Sequence, residues 1–221
     1  MYVPEPFRVA DRAQMHALMR TRPFATLVSA GASGLAAVHL PTVLKSDDAG
    51  AGVIECHLAR ANGHWKDFAG GLDALMIFQG AEGYIRPAWY PSKGQHGKVV
   101  PTWNYATVHA YGRAATIDDR AWLARHVSEL TDQQEHDQHA PWATSDAPST
   151  YIEKMLRGIV GIRFEISRLE GKWKMSQNRE TADRIGTASG LRARAEGDDA
   201  EVADLVDRFA NTPPRPPGET A

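Results

Sequence analysis

Hydrophobic and polar positions alternate along several short stretches of the chain, the pattern of strands that bury one face. Strands of this kind are predicted over residues 24–29, 35–44, 53–58, 83–85, 97–112 and 159–166, and the short apolar run over residues 74–79 is typical of a buried strand. The longest of them carries Trp103, Tyr105, His109 and Tyr111 on one face and small residues on the other. The pattern therefore predicts six or seven short strands, one of which packs against two unlike surfaces.

Helical periodicity is confined to a few segments between and after these strands. A period near 3.6 predicts helices over residues 11–22, 118–130 and 151–157, with one or two helical turns over residues 63–68. Residues 91–97 are rich in glycine and predict a mobile loop. Because the helices do not alternate regularly with strands, the pattern favours an antiparallel, mainly β barrel with peripheral helices over a doubly wound sheet.

The character of the chain changes after Asn178. Alanine, arginine and aspartate dominate residues 182–194 and 199–210, which predict two peripheral helices, and a proline-rich disordered tail follows. The predicted organisation is thus a barrel domain over residues 1–180, a helical appendage over 181–210 and a tail over 211–221.

Composition limits the classes of protein that need to be considered. The chain has 221 residues, of which 43% are hydrophobic and 24% charged, as in globular proteins. Its formal net charge of −2 gives no overall attraction to nucleic acid or to an anionic membrane. The single cysteine, Cys56, excludes an internal disulfide, and no apolar run approaches the ~20 residues that span a bilayer. We expect a soluble, cytoplasmic protein with no membrane partner.

The stretch over residues 56–68, CHLARANGHWKDF, is the first candidate for chemistry. Arg60, Asn62 and Lys66 crowd a turn after a strand, and such cations at the start of a helix suit a phosphate group. The alternative is a solvated turn, since the glycine pattern of a phosphate-binding loop is absent.

A second candidate lies where the long strand begins. Pro101 cannot donate to a sheet ladder, so it should mark an opening, beside which Trp103 and Asn104 place a flat ring next to an amide. The pair could form a shelf for a planar ligand, or it could be ordinary core or interface packing.

A third candidate is the segment EGKWKMSQNR over residues 170–179. Lys172, Lys174 and Gln177 surround Trp173 with hydrogen-bond donors, which could clamp a phosphate or the carbonyl edge of a flat ring. The alternative is a strand edge protected by lysines against aggregation.

Other reactive side chains carry weaker signals. His39 precedes Pro41 in a strand, where a histidine is most often structural. The acidic and histidine residues between Glu135 and His139 approach metal-ligand spacing, but no second cluster completes a site, so no metal is predicted. Cys56 is expected to be a buried, inert thiol. No residue stands out as a catalytic acid or base, and Tyr105 and His109 are only weak candidates for that role.

Taken together, HLARANGHWK, VPTWNY and EGKWKMSQN, with YIRPAWY between the first two, closely resemble the PaiB family. That family is described as FMN-binding negative transcriptional regulators of the protease-synthase and sporulation type. The resemblance runs from the opening MYVPEPF through Asn178. It implies an antiparallel, Greek-key-like split barrel related to flavin reductases and pyridoxamine-phosphate oxidases, which form homodimers with FMN in clefts between the subunits.

The resemblance also implies which residues contact FMN. The phosphate and ribityl chain would be held by Arg60, Asn62, Trp65 and Lys66, whereas the ring would lie along His39 and Pro41 with Trp103 and Asn104 beside it. The site would be closed by Lys172, Lys174 and Gln177, which a second subunit could supply.

Three functions remain open at the level of sequence. The first is FMN-dependent negative regulation of transcription, directly or through partners. No helix-turn-helix is expected, because residues 11–22 lead directly into a strand; ten Lys or Arg against five acids between Glu153 and Arg194 leave nucleic acid as a possible partner. The others are an FMN-dependent, flavin reductase-like oxidoreductase acting on a small molecule, and a haem-handling split barrel.

Overall fold

The computed structural model describes residues 1–32, 34–46 and 50–210, and an eight-stranded sheet dominates it. The strands are β1 (Arg8–Val9), β2 (Phe24–Gly31), β3 (Gly34–Pro41), β4 (Val43–Lys45), β5 (Val53–Ala59), β6 (Leu72–Ile85), β7 (Thr102–Ile117) and β8 (Ile159–Lys174). They follow the order β3-β2-β6-β7-β8-β5-β4, and β1 pairs with β8. Adjacent strands run antiparallel, which confirms the predicted fold class.

Helices occupy the connections and the end of the described chain. They are α1 (Arg12–Thr21), α2 (Ser92–His96), α3 (Arg120–Glu135), α4 (Ser149–Arg157), α5 (Thr181–Arg194) and α6 (Asp199–Ala210). Short 3-10 helices cover Glu5–Phe7, Gly63–Phe68, Pro87–Trp89 and Thr144–Asp146. Across the described residues, none of these helices combines the length and the apolar character that a bilayer crossing requires.

Several predicted boundaries differ from the observed ones. The run over residues 35–44 is two strands, because the backbone N–H and the hydroxyl of Thr42 both donate to the Pro23 carbonyl. Residues 74–79 and 83–85 belong to one strand, β6. Strand β7 begins at Thr102 rather than at residue 97, directly after Pro101, the residue predicted to mark the start of the strand. The predicted mobile loop over residues 91–97 contains α2.

Contacts divide the chain into two compact units. Unit 1 consists of Met1–Asp11, Gln79–Val108 and the chain from Glu170 onward, and unit 2 of Arg12–Phe78 and His109–Leu169. The long strands β6, β7 and β8 each contribute a segment to both units. The predicted tail over residues 211–221 lies outside the described residues.

The core of unit 2 is built from the inward faces of its strands. Leu27, Ile54, Met76 and Phe164 are completely buried there. Helix α3 can approach β8 closely because residue 161 is glycine: a Cβ at that position would lie 2.3 Å from the Trp122 ring.

In unit 1, α5 packs against the segment YIRPAWYPS, residues 84–92, and α6 packs against α5. A Cβ at Gly190 would lie 2.3 Å from the ring of Trp89, so the ring rests directly on the backbone of α5. The buried carboxylate of Asp183 accepts hydrogen bonds from the backbone N–H and the hydroxyl of Ser92, at 3.1 and 2.7 Å. Helix α5 therefore holds this segment in place.

Candidate cofactor site

The cationic turn of unit 2 connects β5 to a 3-10 helix, as the sequence predicts. Asn62 precedes the helix, and its side-chain oxygen accepts a hydrogen bond from the backbone N–H of His64 at 3.1 Å. The helix, Gly63–Phe68, is only six residues long. Attraction for an anion therefore rests on the side-chain cations of the turn rather than on the helix end.

Arg60 is fixed by four hydrogen bonds. Its Nε donates to the Arg157 carbonyl at 3.1 Å and its Nη2 to the Ile159 carbonyl at 2.9 Å. Nη1 and Nη2 also donate to the two carboxylate oxygens of Asp118, at 3.0 and 2.5 Å. These bonds raise the pKa of Arg60 and lower that of Asp118, so both groups stay charged near neutral pH. The guanidinium is thus positioned, but its paired N–H groups already face a carboxylate.

Both cations of the turn lie near the ring of Trp65. Its indole Nε1 donates to the Arg60 carbonyl at 3.0 Å, and both Arg60 Cζ and Lys66 Nζ lie 6.0 Å from its ring centroid. Lys66 is exposed and forms no ion pair within the described part of the chain. Its ammonium group is therefore available to an anionic ligand.

His64 has a role that sequence reasoning did not assign. Its Nε2 and the Ser29 hydroxyl oxygen share a hydrogen bond of 2.7 Å, and its ring lies 5.0 Å from that of buried Phe68. The contact ties the cationic turn to β2. No local signal in the sequence could reveal it, because the two partners are 35 residues apart.

His39 and Pro41 lie on β3, opposite Thr26 and Phe24 of β2. The imidazole of His39 is exposed and stacks on the exposed Phe24 ring, with centroids 6.3 Å apart and planes inclined by 24°. The side chains thus form an accessible flat surface within unit 2.

In unit 1, Trp103 and Asn104 point to opposite faces of β7, as the predicted alternation requires. The Trp103 side chain is 51% exposed and contacts the Tyr84 ring edge-on at 5.7 Å. Asn104 is completely buried, and its amide nitrogen donates to the Ser176 hydroxyl oxygen at 3.0 Å, which in turn donates to its amide oxygen at 3.2 Å. Trp103 is therefore accessible to a ligand, whereas the Asn104 amide is occupied internally.

Lys172 and Lys174 share one face of β8. Lys172 is buried, donates to the Tyr2 carbonyl at 3.2 Å, and places its ammonium group 5.2 Å from the Tyr105 ring centroid. Lys174 donates to the Trp103 carbonyl at 2.8 Å and to the Thr102 hydroxyl. Burial, and then the charge of Lys172, lower the pKa of Lys174. Two like charges held together in this way favour the approach of an anion.

Gln177 closes the turn after β8. Its amide nitrogen donates to the Trp173 carbonyl, and its amide oxygen accepts from the Met175 backbone N–H, both at 2.6 Å. Both polar groups of the Gln177 side chain are therefore used within the turn itself.

The structure thus gathers the candidate residues into two groups, one in each unit. Unit 2 holds His39, Pro41, Arg60, Asn62, Trp65 and Lys66, and unit 1 holds Trp103, Asn104, Lys172, Lys174 and Gln177. Cys56 is completely buried, and burial raises the pKa of its thiol, as expected of an inert cysteine.

Comparisons with known proteins give this arrangement a context. A family model described as "Putative FMN-binding domain" matches residues 1–168. "Protease synthase and sporulation protein PAI 2" of Bacillus subtilis is 29% identical over 208 residues, which are 94% of this chain and 97% of that protein. An uncharacterized protein of Emericella nidulans is 32% identical over 226 residues, covering 86% of this chain and 90% of its own length.

Among solved structures, the "FAD and Heme binding protein from Mycobacterium smegmatis" superposes with a TM-score of 0.56. The match covers 76% of this chain and 73% of that one, at 15% identity. At this level of identity the likeness is one of fold.

Proposed function

We propose a regulatory function for this chain. The premise is that the chain belongs to the FMN-binding family of split-barrel proteins of the PaiB type, and that its cofactor is FMN. In this proposal the bound flavin, or a partner that responds to it, controls negative regulation of transcription. The flavin itself supplies any redox chemistry, and the protein supplies its binding and orientation.

The cationic turn is the observation that carries the FMN part of the proposal. FMN has a phosphate dianion at one end, and guanidinium and ammonium groups are the preferred partners of phosphate oxygens. In the turn, Arg60 is fixed in place and Lys66 is exposed, and both cations lie 6.0 Å from the centroid of the Trp65 ring. This donor set fits a phosphorylated cofactor, and we assign the phosphate to it.

The other candidate residues are proposed to contact the remainder of FMN. His39 and Pro41 offer a flat accessible surface in unit 2, and Trp103 an exposed indole in unit 1. Lys172 and Lys174 supply positive charge. Asn62, Asn104 and Gln177 are engaged with their own neighbours, so we propose that they support the site by shaping the turns around it.

Titration of the purified protein with FMN, followed by flavin fluorescence, tests the cofactor assignment directly. One FMN per chain with saturable quenching is the expected result. Binding of haem with a Soret band in place of flavin would contradict the assignment, and rapid NAD(P)H oxidation by the loaded protein would favour the oxidoreductase alternative.

Regulation of transcription is tested separately. The resemblance to PaiB proteins and a relative named for protease synthesis and sporulation support it. DNA from promoters whose transcription rises in a deletion strain should be retarded by the FMN-loaded protein, directly or together with a co-purified partner. Unchanged transcription in that strain would refute the regulatory role.

We also infer a cytoplasmic homodimer, as the resemblance implies. Apolar side chains are exposed on the outer face of β2 and β3, among them Phe24 and Leu35 at 66% and 80%. A second copy of the chain would bury such a surface. Light scattering should therefore give twice the chain mass at micromolar concentration, and a monomer would contradict the inference.

A further inference from the structure

The ion pair between Arg60 and Asp118 lies in the wall of a cavity of about 370 Å³ within unit 2. Arg120, Arg157 and Glu153 also line this cavity, above the buried side chains of Leu123 and Leu156. Three guanidinium groups therefore face two carboxylates, and the cavity has an excess of positive charge.

Arg60 does not depend on Asp118 for its position. Its hydrogen bonds to the carbonyls of Arg157 and Ile159 hold the guanidinium from the backbone side. If the carboxylate left, the guanidinium would remain in place with two N–H groups directed at the cavity. Such a preorganised fork recognises paired oxygens at little entropic cost.

Within the described residues the Asp118 carboxylate, in contrast, is held only by Arg60. Its side chain is 62% exposed, and it lies in the short connection between β7 and α3. The start of α3 is capped by the neighbouring Asp119, whose carboxylate accepts from the Trp122 backbone N–H at 2.7 Å. Rotation of the Asp118 side chain therefore leaves the helix cap intact.

A phosphate monoester presents the same pair of oxygens as the carboxylate, with more charge. Arg157 would add to its attraction, because within the described residues its guanidinium forms no ion pair. Arg120 is held by Glu153 at 2.8 Å, and this pair leaves the Arg60 fork untouched. The cavity is thus suited to an anion that replaces Asp118.

We propose that Asp118 is an internal competitor for the phosphate of a phosphate monoester: its carboxylate occupies the Arg60 guanidinium and gives way when the phosphate binds. The proposal rests on the proposed function, in that FMN is the phosphate monoester concerned. It makes Asp118 a residue that sets the affinity and the selectivity for phosphorylated flavin.

The test compares the binding of FMN and of riboflavin, which lacks the phosphate, to the full-length protein. Asp118→Asn keeps the size of the side chain and removes its charge, and should tighten FMN binding on the order of fivefold, the scale of an exposed ion pair. Riboflavin binding should not change. Glu153→Gln, the matched control, removes one carboxylate from the same cavity and should have less than half this effect.

A second pair of variants tests whether the gain in FMN affinity depends on the paired N–H groups of the Arg60 guanidinium. In Arg60→Lys, which keeps the charge but not the paired geometry, Asp118→Asn should give little gain. Equal effects of Asp118→Asn and Glu153→Gln, an equal gain for riboflavin, or an equal gain in Arg60→Lys would each overturn the proposal. Unchanged FMN binding in Asp118→Asn would also overturn it while leaving FMN binding itself intact. Failure of the wild-type protein to bind FMN would instead refute the proposed function.

Discussion

His57 and His126 share a hydrogen bond of 3.1 Å between Nδ1 of the first ring and Nε2 of the second, which joins β5 to α3. His126 is completely buried, and its ring stacks on Trp122 at 5.1 Å. Burial first, and then the nearby His57, lower the pKa of His126 to about 4, and burial lowers that of His57 as well. Unit 2 is therefore built with a neutral imidazole pair in its interior.

This pair predicts a loss of stability at mildly acid pH. The unfolded chain binds protons at these histidines near pH 6.5, whereas the folded chain resists protonation of His126 down to about pH 4. The stability that depends on neutral histidines is therefore fully present above pH 6.5. It is lost as the pH falls from 6.5 to about 4, where protonation linked to His126 lowers the free energy of unfolding by about 3 kcal/mol. Urea unfolding at several pH values between 4.5 and 7.5 measures how steeply the free energy of unfolding depends on pH.

His126→Phe provides the control for this prediction. Phenylalanine keeps an aromatic ring against Trp122 but cannot titrate, so its free energy of unfolding should depend less steeply on pH in the same range. A slope identical to that of the wild-type protein would show that other groups cause the acid sensitivity.

Removal of the exposed cation of the turn should weaken FMN binding. Lys66→Ala is expected to cost about 1.5–3 kcal/mol of binding free energy, the contribution of a charged hydrogen bond, and adding Arg60→Ala should raise the loss to several kcal/mol. Fluorescence titration measures both. Lys154→Ala, which removes an exposed lysine from α4, should leave the affinity unchanged. Equal affinities of Lys66→Ala and the wild-type protein would remove Lys66 from the phosphate site.

The exposed indole of unit 1 provides an independent test of the ring contact. Trp103→Leu should weaken FMN binding by about 1 kcal/mol and reduce the quenching of flavin fluorescence, because a stacked aromatic partner is lost. Trp142 is similarly exposed, at 44%, and Trp142→Leu serves as the control. If both variants quench flavin equally well, Trp103 does not contact the ring.

The contact between Asp183 and Ser92 predicts a stability effect within unit 1. Asp183→Asn retains the shape of the side chain but weakens two buried hydrogen bonds to a charged acceptor, which should destabilise the protein by about 1.5–3 kcal/mol. Asp204→Asn removes a surface ion pair with Arg192 and should cost less than about 1 kcal/mol. Thermal unfolding distinguishes them, and equal midpoints would contradict the proposed role of Asp183.

Local patterns in the sequence predicted the antiparallel fold class and most of the longer strands and helices, although several boundaries and α2 were missed. Alternation predicted that Trp103 and Asn104 lie on opposite faces of β7, but not which of the two is buried. The strand–turn–helix order around Arg60 follows from residues within ten positions of each other. Glycines at positions 80 and 83 suggested a break that is absent, since a strand tolerates glycine where neighbouring strands maintain its hydrogen bonds.

Partners that are distant along the chain could not be predicted in this way. Asp118 is 58 residues from Arg60, and Ser29 is 35 residues from His64. Charge and polarity identify these side chains as potential partners of many others, and only the folded chain selects between them. The ion pair that occupies Arg60, on which the proposed competition with a phosphate rests, is therefore visible only in the structure.

The packing of Trp89 against the glycine backbone of α5 bears on how the protein should be shortened. A truncated chain that ends after Asn178 would retain every residue proposed to contact FMN, and also the whole stretch matched by the family model. It would nevertheless lack α5, so the Trp89 ring would be exposed and the Ser92 hydroxyl would lose its hydrogen-bond acceptor, the Asp183 carboxylate. Such a fragment would tend to aggregate, and its failure to bind flavin would say nothing about the intact chain.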